Sequence, residues 1–560
     1  MTARRWLVSG LALQAALASA WQLQVDQAGY PADGPKRALV VGRPGDPARV
    51  DLIDAATGRR VGVFAMGEPA TDPLSGISVA ELRLDGWRKP GRYRLALDGE
   101  LSPEFAIGDD DLRRLQRLLA RSFYLQRCGV ALDDPETGLR HPADHAEDGR
   151  LAHDDGAARA GEAWPAAGGW HDAGDFGKYV ATTTVATARL LDAWERRPAD
   201  FPDGALGIPE SGNGRSDLLD EAGIGLRWLL AMQRADGAVY RKLSGAQWPG
   251  PVSPDQDRQA RFVYGVSSPE TAKFAAVMAQ AARLPGDAAS RARYREAAVR
   301  AWRWLETVRD PQQVDWAEGD DRGSGRYLYS GTDRELSLLT DRDDRVWAAA
   351  ELWLLTGEEP YLRFLREETY LTRDLALFEW KNPAALGVIH LLERRDGALP
   401  GDLRERLGAG LREAADAALQ RSAGNPWRLA NLRFIWGSNK MAAEEGFLLA
   451  AAWRMTGRAD YRDAARSQLD YLMGENPFGL SFVTGFGERR VSHVAHLYAR
   501  AAGQDIPGLL VGGPNDLAQD GIAPAGKGIL SYTDNDRAYS VNEYAIDYTA
   551  SLIGLIGILQ

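Results

Sequence analysis

Residues 216–232 read SDLLDEAGIGLRWLLAM, a pattern that sets the expected architecture for most of this 560-residue chain. Leucine and alanine recur every three or four positions, so one broad face of the segment is apolar, as in an amphipathic helix. The helix is expected to begin at Ser216 and to stop before Gly237. The segment is therefore predicted to be a helix whose apolar face packs against a core.

Segments of the same kind recur from about residue 110 to the C-terminus. Two of them end alike, with Leu-Thr-Gly at 355–357 and Met-Thr-Gly at 455–457, and each glycine is followed four residues later by a tyrosine. This similarity indicates repeated helical hairpins. Hairpins stacked in a ring form an α/α toroid with a cleft among the loops at one end, although the sequence alone does not show that the ring closes.

A different pattern occupies residues 21–108. Apolar residues alternate with polar ones on both sides of a Thr-Gly turn within 50–63, and again in 93–97 before an Asp-Gly dipeptide, which favours tight hairpins. These signals predict a small all-β sandwich. The acidic run 109–111 is a candidate cap for the first helix, so the second, helical domain is predicted to span 110–560.

The first 20 residues have the features of a signal peptide. Arg4 and Arg5 precede an apolar run over 6–18, and Ala-Ser-Ala at 18–20 fits a cleavage site. The run is shorter than the roughly 20 apolar residues that a membrane span needs. We therefore expect a secreted protein, extracellular or periplasmic, that does not stay in the membrane after the signal is removed.

Charge and cysteine content limit the partners. The formal net charge of -11 disfavours nucleic acid, since phosphate would be repelled. Cys128 is the single cysteine, which excludes an intramolecular disulfide and leaves one thiol to be explained. We expect a monomer whose partner is its substrate.

A glycine-rich stretch at 168–179, GGWHDAGDFGKY, places the carboxylates of Asp172 and Asp175 three residues apart. One cleft wall can then present both. One of them would take a proton from a water molecule while the other orients that water, which is the general-base half of an inverting glycosidase. By itself, the pattern also fits a loop closed by Asx turns or a calcium loop.

This stretch resembles the signature of glycoside hydrolase family 9, a cellulase family with an (α/α)6 barrel. The resemblance covers about residues 112–556, and VDQAGY at 25–30 is similar to the immunoglobulin-like domain that precedes the barrel in one branch of the family. Ordered blocks are more specific than any one motif. The further blocks are QRCG at 126–129, DLLDE at 217–221, WGSN at 436–439, GENP at 474–477, VTGFG at 483–487, VGGPN at 511–515 and NEYAIDY at 542–548.

The resemblance implies an endo-β-1,4-glucanase (cellulase) that acts on cellulose or related β-glucans with inversion and needs no cofactor for its chemistry. Asp175 corresponds to the family's catalytic base, Asp172 to its helper carboxylate and Glu543 to its general acid. For inversion, the acid and base stand roughly 6.5–9.5 Å apart. Alone, Glu543 would also fit a carboxylate at the start of a helix. His496 corresponds to a residue that hydrogen-bonds the sugar beside the cleaved bond.

One departure leaves the substrate open. Leu497 stands where the family has an arginine that contacts the sugar on the leaving-group side. Losing its guanidinium donors favours, as an alternative, an exo-acting β-glycosidase or cellodextrinase on short oligosaccharides. A non-catalytic glycan-binding protein would be expected to have lost the carboxylates, and all three are present. A structural protein built on the β-sandwich would leave the helices unexplained.

The resemblance also implies metals. Cys128, Asp144, His145 and His171 correspond to positions where this branch places two cysteines and two histidines around zinc, with Asp144 in place of one cysteine. Such a set can hold structural zinc tetrahedrally. The alternative is a buried free thiol beside unrelated histidines. The pair 343–344, two aspartates, resembles a calcium segment of the family, but acidic pairs are usually solvated helix starts.

Overall fold

The computed structural model describes residues 21–42, 49–308, 340–368, 377–394 and 396–560. The predicted signal peptide, residues 1–20, lies outside these ranges. Within them, none of the helices has both the length and the apolar character that crossing a bilayer requires.

The N-terminal region is built of β-sheet, as predicted. One antiparallel sheet has the strand order β1-β2-β6-β5, and the other has the order β4-β3-β7-β8, with β9 also paired to β7. Apolar side chains of both sheets form a common core of their own. The described strands are β1 Gln22–Gln24, β2 Arg37–Val41, β3 Arg49–Asp54, β4 Arg60–Ala65, β5 Ala70–Thr71, β6 Ser78–Arg83, β7 Gly91–Leu97, β8 Glu100–Leu101 and β9 Phe105–Ile107.

The turn between β7 and β8 confirms the Asp-Gly prediction. Asp98 has φ 49° and Gly99 has φ 86°. Two successive positive φ angles are required by the type I′ turn, whose twist matches that of the two strands it joins. The local sequence therefore determines this hairpin.

Helices dominate from residue 110 onwards. The described helices are α1 Asp110–Ser122, α2 Val180–Arg196, α3 Asp217–Ala231, α4 Ser268–Arg283, α5 Ala288–Thr307, α6 Arg342–Thr356, α7 Glu359–Glu367, α8 Ala384–Glu393, α9 Gly401–Ala423, α10 Ser438–Thr456, α11 Ala459–Leu472, α12 Leu497–Ala502, α13 Tyr539–Asn542 and α14 Ile546–Leu559. The predicted helix at 216–232 is α3, with Ser216 at its N-cap. Asp109 lies at the N-cap position of α1, although its side chain makes no capping hydrogen bond.

Six of these helices form an inner set. Each of α2, α4, α6, α8, α10 and α14 contacts the next, and α14 contacts α2, which completes a cycle. The others of any length, α1, α3, α5, α7, α9 and α11, pack outside them. An outer helix returns the chain between successive inner helices, so the inner helices run in one direction. Their N-termini therefore meet at one end.

The two similar helix ends have the same structure. Gly357 and Gly457 adopt φ of 69° and 76°, the left-handed conformation that ends a helix. The hydroxyls of Thr356 and Thr456 donate to carbonyl oxygens four residues earlier, at 2.8 and 2.7 Å. The repeated sequence is therefore a repeated turn from an inner helix into an outer one.

Short strands connect the helices near the end where the inner N-termini meet. Strands β12, β15, β14 and β13 form one sheet in that order, and β10 pairs with β11. Because β13 directly precedes α2, this sheet supports the chain as it enters the inner helix. The strands are β10 Leu132–Asp133, β11 Arg140–His141, β12 Arg150–Leu151, β13 Lys178–Tyr179, β14 Tyr240–Gly245 and β15 Arg261–Val266.

Buried polar contacts join the β-sheet region to the helices. The Arg37 guanidinium lies 2.8 Å from the Glu475 carboxylate, and both side chains are buried. The Tyr30 hydroxyl donates to the same carboxylate at 2.9 Å. Separating the two parts would leave a buried charge without its partner, which is energetically costly. These residues therefore hold the two parts in a fixed arrangement.

Candidate active site

The loop at 168–179 lies directly before α2. Gly168 and Gly169 adopt φ of 90° and 80°, which residues with a side chain rarely tolerate. The Asp172 N–H donates to the Gly177 carbonyl at 2.9 Å and closes the loop on itself. The glycines thus give the loop its sharp path, and both of its carboxylates stay near the N-terminus of an inner helix.

Asp172 connects this loop to the last inner helix. The Ile546 N–H donates to the Asp172 carbonyl at 2.8 Å. The Thr182 hydroxyl donates to the Asp172 carboxyl group. Burial, reinforced by the negative charges of Asp547 and Asp175, raises the pKa of Asp172 well above its usual range. The hydrogen bond from Thr182 fixes the Asp172 side chain in position.

Asp175 is buried, with 4% of its surface exposed. The Gly177 N–H donates to its Oδ2 at 2.9 Å. In the described part of the chain, its Oδ1 receives no hydrogen bond. One oxygen is thus held by the backbone, and the other is available to accept a proton or a water molecule.

Glu543 approaches the same loop from the far end of the sequence. The Gly174 N–H donates to Glu543 Oε1 at 3.2 Å. Burial and then the negative charge of Asp175 raise the pKa of Glu543 well above its usual range, with a smaller contribution from Asp172. Glu543 is therefore suited to stay protonated where an ordinary glutamate is ionised.

Gly174 fits where no larger residue would. A Cβ at this position would lie 2.3 Å from the Ala495 carbonyl oxygen and 2.9 Å from Glu543 Oε1. Even alanine would push the loop away from both segments. The glycine is thus a packing requirement that sets the distance between Glu543 and the loop carrying Asp175.

The imidazole of His496 is buried within the protein. Its Nε2 lies 2.9 Å from Gln126 Oε1, and its Nδ1 accepts the Tyr498 N–H at 3.1 Å. The ring stacks on Tyr544, with centroids 5.6 Å apart. Burial lowers the pKa of His496 to about 3, so the ring is neutral. To contact a sugar, it would have to exchange its hydrogen bond with Gln126.

Sequence reasoning missed a polar network beside Glu543. The Asp534 carboxylate accepts the His493 N–H at 3.0 Å and lies 3.1 Å from the His493 ring. The Asn542 side chain donates to Asp534 at 3.0 Å and accepts the Tyr532 hydroxyl at 2.6 Å. The His493 side chain is 63% exposed. Asp534 lies in a polar run, Thr-Asp-Asn-Asp-Arg, which reads as an ordinary solvated loop and gave no signal.

The structure brings the four predicted metal ligands together. One donor atom each from Cys128, Asp144, His145 and His171 lies within 4.8 Å of the other three. Asp144 Oδ2 is 2.8 Å from His171 Nε2 and 3.2 Å from His145 Nδ1, and that nitrogen is 3.9 Å from the Cys128 sulfur. Atoms bound tetrahedrally to one zinc ion are separated by roughly 3.3–3.8 Å, close to these spacings.

Neighbouring groups orient two of these ligands. The Gly129 N–H donates to Asp144 Oδ1 at 2.6 Å, which leaves Oδ2 to face the cluster. His145 Nε2 lies 3.4 Å from Asp257 Oδ2, an arrangement of carboxylate and histidine that is common behind metal ligands. A cavity of about 390 Å³, lined in part by Asp144, His145 and Asp257, reaches the cluster from outside.

Two family models match successive parts of this chain. The model described as Glycosyl hydrolase family 9 matches residues 114–556. This chain belongs to glycosyl hydrolase family 9. A second model, described as Cellulase N-terminal ig-like domain, matches residues 18–102 of the family 9 chain. The resemblance to the family branch with the immunoglobulin-like domain is therefore confirmed.

Curated relatives of this family 9 chain are glucan hydrolases. It is 31% identical to Endoglucanase C of Cellulomonas fimi over 95% of its own length, and it spans about half (51%) of that relative. It is 30% identical to Xyloglucan-specific endo-beta-1,4-glucanase BoGH9A of Bacteroides ovatus, covering 96% of this chain and 93% of that one. A Cellodextrinase of Butyrivibrio fibrisolvens is 29% identical, covering 96% and 99%.

Solved structures agree with these relatives. A metagenome-derived glycoside hydrolase family 9 endoglucanase superposes with a TM-score of 0.90 at 41% identity, covering 98% of this chain and 99% of that one. A Zn-binding triple mutant of family 9 endoglucanase J30 gives a TM-score of 0.87 at 35% identity, covering 94% and 99%. The prediction of a glycoside hydrolase of the endoglucanase type is confirmed.

Proposed function

We propose that this family 9 hydrolase cleaves internal β-1,4-glucosidic bonds of cellulose or a related β-glucan with inversion, using Glu543 as acid and Asp175 as base. The observation that carries the proposal is the hydrogen bond from Gly174 to Glu543, because it joins the acid to the loop that holds the base. The carboxyl groups of Asp175 and Glu543 are more than 350 residues apart in the sequence.

Glu543 is proposed to donate its proton to the glycosidic oxygen as the bond to the anomeric carbon breaks. A glucoside leaving group is a poor one, so it needs that proton near neutral pH. The raised pKa supplies a protonated donor there, since burial and the charge of Asp175 both disfavour the ionised form. The hydrogen bond from Gly174 favours the carboxylate that remains afterwards.

Asp175 is proposed to take a proton from a water molecule that attacks the anomeric carbon from the opposite side of the ring. Oδ1 is the oxygen free to do so, because Oδ2 accepts the Gly177 N–H. Asp172, held by Thr182, would orient the same water. The leaving alcohol receives the acid's proton and the base takes one from water, so exchange with solvent restores both groups.

The helices are proposed to form an (α/α)6 barrel. The support is the closed cycle of six inner helices and the six outer helices that pack around them. A cleft would lie where the inner N-termini meet, since the loop with Asp175 leads through β13 into α2 and Glu543 lies shortly before the start of α14. We propose domain limits of 21–108 for the β-sandwich and 110–560 for the barrel, and the cap position at Asp109 supports this boundary.

The products of hydrolysis test this function. With carboxymethyl cellulose and barley β-glucan, we expect viscosity to fall before much reducing sugar appears, because internal bonds break first. Proton NMR of fresh products from cellopentaose is expected to show the α-anomer first, as inversion requires. An early β-anomer would contradict the assignment of Asp175 as base.

A cellodextrinase acting on short oligosaccharides is the second candidate. Leu497 is buried at the start of α12, so it presents no donor where the resemblance places an arginine. The match to a cellodextrinase over nearly both whole chains also favours it. In the same assay, this alternative predicts a small end product from cellopentaose with little loss of viscosity from the polymers.

The rate of hydrolysis is expected to fall as pH rises through the pKa of Glu543, because only the protonated acid is competent. The pKa of Asp172 is itself raised, so this carboxyl group ionises only toward the alkaline side, where its negative charge contributes to raising the pKa of Glu543. We therefore expect Asp172→Asn to shift the alkaline limb of the kcat profile to lower pH, besides lowering the rate. Thr182→Ser, which keeps both the carboxyl group and the hydroxyl that donates to it, is the matched control. An alkaline limb that stays in place or moves upward in Asp172→Asn would contradict the electrostatic coupling.

Zinc is proposed as a structural metal held by Cys128, Asp144, His145 and His171. One sulfur, two imidazole nitrogens and one carboxylate oxygen form a donor set that zinc accepts. Burial raises the thiol's pKa, but the positive charges of Lys178 and His171 help to lower the pKa of Cys128 to about 6, which favours the thiolate that binds metal. Bound zinc would brace the loop that follows His171.

Metal analysis checks this site. We expect one zinc per chain, reversible loss of thermal stability on chelation, and loss of zinc in Cys128→Ser. Asp144→Cys is the matched gain-of-affinity variant, because thiolate is a stronger zinc ligand than carboxylate. Full thermal stability in metal-free protein, with no zinc retained after purification, would contradict the proposal.

Location and substrate contact are part of the same proposal. The charged start, apolar run and small residues of 1–20 support secretion of the mature chain. We propose that it acts as a monomer. His496 stays a predicted sugar contact, and its bond to Gln126 places it between that residue and Tyr544 beside the acid.

A further inference from the structure

A buried charge cluster lies between the inner helices α4 and α6, apart from the carboxyl groups assigned to hydrolysis. Glu270 and Lys273 come from α4, and Asp343 and Asp344 come from α6. None of the four is more than 2% exposed. The Lys273 ammonium lies 2.6 Å from Asp344 Oδ1. Three carboxyl groups thus share one cation in an environment that excludes water.

Lys273 is held as an ammonium by these neighbours. Burial favours the neutral amine, but the negative charges of Asp344, Glu270 and Asp343 outweigh burial and raise the pKa of Lys273. The pKa values of the carboxyl groups are shifted as well. Burial raises the pKa of Asp343 to about 7 and that of Asp344 well above its usual range, while the ammonium opposes both shifts. The cation therefore determines how much negative charge the cluster can hold.

Several oxygens of the cluster have no hydrogen-bond donor within the described ranges. They are Glu270 Oε1, Asp343 Oδ2 and Asp344 Oδ2. Buried polar atoms are nearly always satisfied, so such a group needs an explanation. Carboxylate oxygens at the ends of two packed helices are also the ligands that calcium prefers.

Calcium does not fit here beside Lys273. A calcium ion requires its oxygens at about 2.3–2.6 Å, and the ammonium already occupies that distance from Asp344. Two cations so close in a buried site would also repel each other strongly. The resemblance of 343–344 to a calcium segment therefore disagrees with the side chains that surround the pair.

We propose that Lys273 is an internal counter-ion that takes the place of a divalent cation among Glu270, Asp343 and Asp344, so that this chain holds α4 against α6 without calcium. The cluster then has the carboxylates of a calcium site, but its cation is the side chain of Lys273 rather than a bound ion. Removing the ammonium should convert it into a binding site for calcium. This inference is independent of the proposed hydrolytic function.

The test compares wild type with Lys273→Met, which keeps most of the apolar stem and removes the charge. Thermal unfolding is followed in calcium-depleted buffer at constant zinc, and then with millimolar calcium chloride. We expect no calcium effect on the wild type. Lys273→Met should unfold at lower temperature without calcium and recover with it, with calcium affinity at least roughly tenfold above that of the wild type. Folding of the variant only when calcium is present would equally support the proposal.

The double variant Lys273→Met, Asp344→Asn is the matched control, because it removes one proposed ligand and should lose most of the calcium response. A Lys273→Met protein that calcium does not stabilise would overturn the proposal. Direct calorimetric titration of the wild type gives a second measurement that does not depend on folding of the variant. Saturable calcium binding to the wild type that is lost in Asp344→Asn would also overturn it.

Discussion

Glu543→Gln is expected to lower the hydrolysis of β-glucans by about 100- to 10,000-fold, the usual contribution of a general acid. Glutamine keeps the shape of the side chain and the acceptor for the Gly174 N–H, but it has no acidic proton to give the leaving oxygen. Thermal stability should be retained, because the change removes a buried carboxyl group whose ionised form is disfavoured. Steady-state kinetics on barley β-glucan and thermal unfolding measure the two effects.

An activated substrate separates the acid's role from a general loss of function. Dinitrophenyl β-cellobioside has a leaving group that needs no proton, so Glu543→Gln should cleave it at a rate near that of the wild type. Asp536→Asn, in the loop before α13 and partly exposed, is the matched control and should keep activity on both substrates. An equal loss on both substrates in Glu543→Gln would argue against proton donation.

Asp175→Ala is expected to abolish hydrolysis of both kinds of substrate, again by about 100- to 10,000-fold, because an activated leaving group does not replace the base. Its side chain is bonded to a single backbone N–H, that of Gly177, so the fold should survive. Near-ultraviolet circular dichroism checks the fold, and kinetics on the aryl cellobioside measure the loss.

Azide provides the matching rescue experiment. In the space left by Asp175→Ala, a small anionic nucleophile needs no base, and attack from the water side should give the α-glycosyl azide. Asp175→Asn fills that space and should show less rescue. A β-glycosyl azide, or restoration of Glu543→Gln instead, would place the base elsewhere and contradict the proposed roles.

The local sequence was sufficient wherever interactions span few residues. The apolar spacing of 216–232 predicted α3, and the Asp-Gly dipeptide predicted the β7–β8 turn with its two positive φ angles. The Thr-Gly helix ends predicted a repeated turn for the same reason, because each hydroxyl bonds within its own helix. The order of the motifs along the chain indicated the family, and that resemblance predicted roles for three carboxyl groups.

Tertiary structure decided what depends on residues distant in sequence. Gly174 meets Ala495 and Glu543 only because α2 and α14 are neighbours, so its lack of a side chain reads in the sequence as loop flexibility. Lys273 looks like one charge on an ordinary helix until α6 brings Asp344 to it. The sequence by itself determined the elements and the family, and it predicted the catalytic carboxyl groups. Burial and long-range contact, which no local pattern encodes, raise the pKa of Glu543 and pair Asp344 with Lys273.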